Sequence, residues 1–275
     1  KKYKSPIYEL LGGERKMLPA YASTMNGDKE KNGLSSPEAY ADFAEQCLEL
    51  GYKGYKMHGW SAGNAKDEIE MLRAVGDRVA GKMKIMYDAA CHLNTLSDAL
   101  EVGRICDEYG FYWYEDPYKD GGVSINGNQV LVQKLSTPLL VGEHVRNLET
   151  SVDMLVNGSS FFSRADPDYD GGITGSYKLV LASEGLGVDC EIHSCGPPMR
   201  HLMAASRNSN FYEVNLLHPK CNNPWSLPVY DKNYDDLINC IDKNGNVEVP
   251  TGPGLGVEYN WDYIRKNKLH TLEIS

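Results

Sequence analysis

The stretch Lys84–Glu115, KIMYDAACHLNTLSDALEVGRICDEYGFYWYE, decides how the chain is read. It opens on a short β-rich run, KIMYD (84–88), and closes on another, FYWYE (111–115). Between them TLSDALEVGRICDEYG carries apolar residues at three- and four-residue spacing, the mark of a helix with one buried face. Two strands joined by a helix form a unit whose strands run parallel. Each strand here ends in an acid, Asp88 and Glu115.

The same unit recurs outward in both directions. Strands are read at PAYAS (19–23), GYKMH (54–58), PLLVGE (138–143), FFSRAD (161–166), GVDCEIH (187–193) and FYEVN (211–215). Helix patterns lie between several of them, among them SPEAYADFAEQCLEL, with Ser36 as cap and Pro37 at the first helical position. Eight strands alternating with helices predict a closed (β/α) barrel of the TIM type. An open doubly wound sheet is the alternative. It calls for a glycine-rich phosphate turn after an early strand, and the glycine-rich GPGLG (252–256) stands near the C-terminus instead.

Composition narrows the function. The 275 residues are 41% hydrophobic and 24% charged, an ordinary globular balance. A formal charge of −10 without a basic run argues against nucleic-acid binding. No apolar run approaches the roughly 20 residues that span a bilayer, so no membrane partner is expected. Seven cysteines, with no Cys-x-x-Cys pair, are read as reduced thiols of a cytoplasmic protein.

Barrel chemistry stands at the C-terminal ends of strands. Those ends read Lys56/His58, Asp88, Glu115, Glu143, Asp166, His193 and Glu213. Asp88, Glu115 and Glu143 are spaced by 27 and 28 residues, one repeat unit each time. Three carboxylates meeting over a barrel mouth repel one another unless a cation joins them, and hard oxygen ligands suit Mg²⁺. Lys56 and His58 alternate along one strand and so share a face. A lone strand-end acid is ordinarily a cap or a solvated loop residue, and Asp116, followed by Pro117, reads that way. His193 gains a candidate partner from RADPDYDGG, although spacing alone leaves Asp166, Asp168 and Asp170 open. His92, His144, His201, His218 and His270 read as structural, with His144 directly after an expected ligand.

Taken in order, KMH, YDAA, YEDP, VGEH, DPDYDGGITG, EIHS, FYEV and VPTGPGLGV resemble the enolase superfamily, specifically its mandelate racemase-like subgroup. The resemblance implies a modified TIM barrel, Asp88, Glu115 and Glu143 as Mg²⁺ ligands, and Asp166 as the partner of His193. It further implies Lys56 as a second cation and, if protonated, Glu213 as hydrogen-bond donor to a substrate carboxylate. Arg164 is expected to pair with Asp166, to grip a distal substrate group, or to form an ion pair inside the barrel. Residues 1–17 would then be a linker from an N-terminal capping domain, 18–240 the barrel, and 241–275 a segment returning toward the cap. Two positions depart from the pattern: His58 stands where relatives carry a second lysine, and Ala90 where asparagine is frequent.

The activity so implied is dehydration of a sugar acid, aldonic or aldaric. His58 or His193 would take the proton α to the carboxylate, and His193 would protonate the departing β-hydroxyl to give a 2-keto-3-deoxy acid. Racemisation or epimerisation through the same enediolate is the alternative, and a non-catalytic barrel is a second. A zinc amidohydrolase would want His-x-His where this chain has Lys-x-His. A homo-oligomer is expected.

Overall fold

A computed structural model describes residues 1–220, 228–231 and 233–273, so Cys221 lies outside the described residues. A short helix, α1 (Ile7–Leu10), precedes the first strand, β1 (Met17–Thr24). Then follow α2 (Pro37–Leu50), β2 (Gly54–His58), α3 (Ala65–Val79), β3 (Lys84–Asp88), α4 (Leu96–Tyr109) and β4 (Trp113–Glu115). The second half runs α5 (Ile125–Lys134), β5 (Leu139–Val141), α6 (Leu148–Val156), β6 (Phe162–Ala165), α7 (Gly172–Gly185), β7 (Asp189–Ile192), α8 (Pro197–Ala204) and β8 (Tyr212–Leu217). A last strand, β9 (Asn246–Glu248), and α9 (Trp261–Asn267) complete it.

Local chemistry sets the helix ends. Ser36 accepts from Ala39 N at 3.2 Å to open α2, and Gly51, at φ 102°, closes it in the left-handed region. At the start of α4 Thr95 and Asp98 bond each other's backbone N–H reciprocally, a capping box. Two helices escape the sequence reading. INGNQVLVQK makes a weak amphipathic pattern yet forms α5, and the Gly-Pro-Pro read as a turn places prolines in the first turn of α8, where their missing N–H groups cost nothing.

The sheet runs β7-β6-β5-β4-β3-β2-β1-β8 with every one of these pairs parallel, and β9 lies antiparallel on the start of β1. Monotonic order with β1 beside β8 is the topology of a barrel, not of a doubly wound sheet. At the seam the Glu191 carboxylate of β7 accepts from the backbone N–H of Asn210 and Phe211, which lead into β8. Alternation divides the buried residues into two sets. Tyr21, Met86, Trp113, Leu140 and Phe162 fill the interior, while a larger apolar layer including Tyr55, Met71, Val75, Tyr114 and Val180 joins sheet to helices. Above the interior apolar layer the inward positions turn polar: Lys56, Glu115, Arg164 and Glu213, all buried. That change of polarity positions the site.

Candidate active site

Strand register brings His58, Asp88 and Glu115 abreast on β2, β3 and β4. Glu143 was expected on its strand, but β5 stops at Val141. Gly142, at φ 128°, turns the chain there, and Glu143 returns to the row from the turn. Carboxylate oxygens of Asp88, Glu115 and Glu143 all lie within 4.8 Å of one another. Asp166 likewise stands one residue past the end of β6.

Lys56 reaches beneath the row. Its Nζ lies 3.1 Å from Asp88, 2.8 Å from Glu115 and 3.1 Å from Glu213. Burial alone would lower its pKa, but the charges of Glu115 and Glu213 outweigh that and hold it well above the usual lysine value. Arg164 is 1% exposed. Its guanidinium contacts Glu115 at 3.0 Å and Glu213 at 2.8 Å, and donates to the Tyr21 hydroxyl at 3.2 Å. Of the readings open for Arg164, this is the interior ion pair: it contacts the floor of the site, Glu115 and Glu213. Tyr21, which the sequence reading passed over, sits two residues before Ser23 on the inward face of β1, and alternation from Lys56 and Glu115 was the signal for it.

Glu213 also departs from expectation. Burial would raise it, yet Lys56 and Arg164 hold its carboxyl well below the ordinary range, and it accepts from Ser194 N at 2.8 Å. It is an anion that anchors two cations, not a protonated donor. Asp88 is likewise held low by Lys56 and His58 against the effect of burial.

Two imidazoles close the ends of the acid row. His58 Nδ1 lies 2.7 Å from the Thr24 carbonyl, which can only accept, so Nδ1 carries a proton and Nε2 faces Asp88 at 3.1 Å. His193 Nδ1 meets Asp166 at 2.5 Å, and its Nε2 faces Glu143 at 3.3 Å. Asp166 is itself held by the backbone N–H of Asp168 at 2.6 Å, while its own N–H donates to Asp170 at 2.7 Å. Of the three aspartates left open by spacing, Asp166 is therefore the one that touches the ring. Burial would lower both histidines. The Asp88 charge and hydrogen bond raise His58, and the Glu143 charge with the Asp166 hydrogen bond raises His193.

Both histidines, Glu143, Asp166 and Glu213 line one cavity of about 970 Å³, which is also bordered by Tyr230. That size suits a small-molecule site. The donor set fits a divalent cation. Four carboxylates (Asp88, Glu115, Glu143, Glu213) meet only two permanent cations, Lys56 and Arg164, leaving two negative charges over. All-oxygen ligands from three separate strand ends favour a hard ion.

Other residues settle differently. His201 is buried and accepts from Tyr8 N at 3.3 Å, and His218 pairs with Asp28 at 2.7 Å, both structural. Asp116, read as a solvated turn residue, is instead fully buried at φ 38°. The left-handed turn swings its side chain inward, beside His144 at 3.3 Å.

Against this geometry stand the known proteins. Residues 39–263 match the family model described as enolase C-terminal domain-like. An arabinonate dehydratase of Saccharolobus solfataricus is 27% identical over 262 residues, covering 93% of this chain and 65% of that protein. A D-gluconate dehydratase of Thermoproteus tenax is 25% identical, over 98% of this chain and 54% of its own length. The chain thus spans less than two thirds of these relatives. The crystal structure of D-glucarate dehydratase from Agrobacterium tumefaciens complexed with magnesium superposes with a TM-score of 0.88 at 30% identity, over 98% of this chain and 70% of that one.

Proposed function

Because the chain belongs to the enolase C-terminal domain-like family, we propose that it is the catalytic barrel of a Mg²⁺-dependent sugar-acid dehydratase. The observation that carries this reading is that two histidines lining one cavity set their Nε2 atoms against the two ends of a three-carboxylate row. Asp88, Glu115 and Glu143 would hold Mg²⁺, whose positive charge makes a proton α to a carboxylate removable by stabilising the negative charge that develops.

The chain's own residues do the rest. Lys56, pinned by Asp88, Glu115 and Glu213, adds a fixed positive charge beneath the acid row and needs no reorganisation as charge builds. Glu213 and Arg164 keep that lysine in place. Either imidazole takes the α-proton at Nε2. His193, held in place by Asp166, delivers a proton from Nε2 to the departing β-hydroxyl, and tautomerisation gives a 2-keto-3-deoxy acid. Loss of the hydroxyl as water balances the step, with no oxidant or reductant. Two imidazoles flanking one carbon also favour a second reading, racemisation or epimerisation.

The substrate class proposed is an aldonic or aldaric acid. Among the described residues no helix is long and apolar enough to cross a membrane, and six cysteines are free. Reduced thiols support a cytoplasmic setting. We assign 18–240 to the barrel, with 1–17 and 241–275 as segments serving a capping domain. Their meeting supports this: Ile7 N donates to the Gly254 carbonyl at 3.0 Å. A homo-oligomer is proposed as well.

The test is a screen of aldonic and aldaric acids with Mg²⁺ for 2-keto-3-deoxy product, using a chain that carries its capping domain. His193→Asn should abolish turnover with the fold intact, and Glu143→Gln should weaken Mg²⁺ binding. Exchange of the α-proton in D₂O without loss of hydroxyl would replace dehydration by racemisation. Unchanged Mg²⁺ affinity in Glu143→Gln would remove the ligand set.

A further inference from the structure

Directly behind the acid row stands a second group of ligating side chains. Cys91, Asp116 and His144 bring sulfur, oxygen and nitrogen atoms within 4.8 Å of one another. Each follows a residue of the row in sequence: Cys91 by three after Asp88, Asp116 next to Glu115, His144 next to Glu143. The loop after β3 and the loop after β4 are tied together where Cys91 N donates to the Asp116 carbonyl at 2.8 Å. Gly122 closes over the group, since a Cβ there would stand 3.1 Å from Asp116 Oδ1 and 3.3 Å from the His144 ring.

Asp116 points to a ligand. Its carboxylate is fully buried, and neither oxygen accepts a hydrogen bond from any described residue. Only the His144 Nε2 approaches it, at 3.3 Å. A buried carboxylate without donors is costly, and a metal ion is one of the few partners able to meet both oxygens.

We propose that Cys91, Asp116 and His144 form a metal site of their own, separate from the three-carboxylate row, that takes a borderline-soft cation, Zn²⁺. Thiolate, imidazole and carboxylate are its three usual ligand types, whereas Mg²⁺ has no use for sulfur. Ligands at 2.0–2.3 Å from one tetrahedral ion stand roughly 3.3–3.8 Å apart, so small side-chain rotations of Cys91 and His144 complete the set. A fourth position stays open to water. The assignment stands whether or not the acid row serves dehydration.

The test loads the full chain with Zn²⁺ by equilibrium dialysis in a large excess of Mg²⁺, and with Co²⁺ as a spectroscopic probe. One Zn²⁺ per chain is expected, with a near-ultraviolet thiolate-to-cobalt absorption band. Cys91→Ser and His144→Ala should each weaken binding at least tenfold and abolish or displace that band, while Cys240→Ser should leave both unchanged. Asp116→Asn, nearly isosteric, provides the same reading should either variant fail to fold. A band surviving in Cys91→Ser, or Zn²⁺ lost in Asp88→Asn but retained in Cys91→Ser, overturns the proposal. So does failure to retain Zn²⁺ against Mg²⁺.

Discussion

Arg164 shows how a single residue of this barrel is determined by its surroundings. A buried guanidinium bridging Glu115 and Glu213 satisfies two carboxylates at once. Removing it strands both, so Arg164→Met is expected to cost about 3–5 kcal/mol in denaturant unfolding, the usual loss when one partner of a buried pair is deleted. Combining it with Glu115→Gln should recover part of that loss; strictly additive losses would show that the pairing is not the cause. The Asp166–His193 pair is likewise set by its immediate neighbours. The Asp166 hydrogen bond is one of three influences that raise His193, with the charges of Glu143 and Glu213, so the imidazolium persists above the ordinary value near 6.5. Asp166→Asn withdraws it, and the His193 midpoint should fall, read by NMR of the ring protons with Mg²⁺ present. An unmoved midpoint would assign the elevation to the charges of Glu143 and Glu213. The sequence placed both residues at their strand ends, but it could not say that Arg164 faces the floor. Inward and cavity-facing positions share one alternation, and only depth along the strand separates them.

Among the elements, the eight strands and the capped helices were readable, and the loops were the hardest. Ser36, Thr95 and their closing glycines are local signals, because a cap depends on residues within one turn. Thr95→Ala should cost about 1 kcal/mol, measured by urea unfolding, since Asp98 N then loses its acceptor. A less visible element feature is Glu68 on α3, 1% exposed, whose Oε1 accepts from Trp60 N at 2.7 Å. Burial pushes its carboxyl up to about 7. A folded-state value above the unfolded value near 4.3 means that stability is full below that unfolded value and declines as pH rises through about 7. Glu68→Gln should therefore raise the unfolding free energy in urea at pH 8 and not at pH 4, by at most about 4 kcal/mol. Equal effects at both pH values would count against burial as the origin. α5 and α8 were missed because their local patterns are weak and their burial comes from neighbouring strands. Asp116 was misjudged for a related reason: a turn residue's exposure depends on what packs over it, here Gly122 and His144.

At the scale of the molecule, the acid row ties one site to several distant stretches of chain. Mg²⁺ binding should therefore stabilise the whole barrel, by about 2.7 kcal/mol at a hundredfold excess over Kd, and raise Tm accordingly. Glu143→Gln should lose most of that gain in a thermal scan, and a Tm indifferent to Mg²⁺ in the parent chain would deny the coupling. The repeat of strand, acid, turn and helix was enough by itself to predict a (β/α) barrel and to space three acids one unit apart. Period and spacing are properties of the chain, and they survive without coordinates. The fold alone decided the rest: that Lys56 and Arg164 clasp Glu213, that Asp116 is buried beside His144, and that Cys91, Asp116 and His144 converge. Each of those depends on distances between side chains far apart in sequence, and on how deeply each is buried, which sets its charge. Neither quantity exists until the sheet has curled.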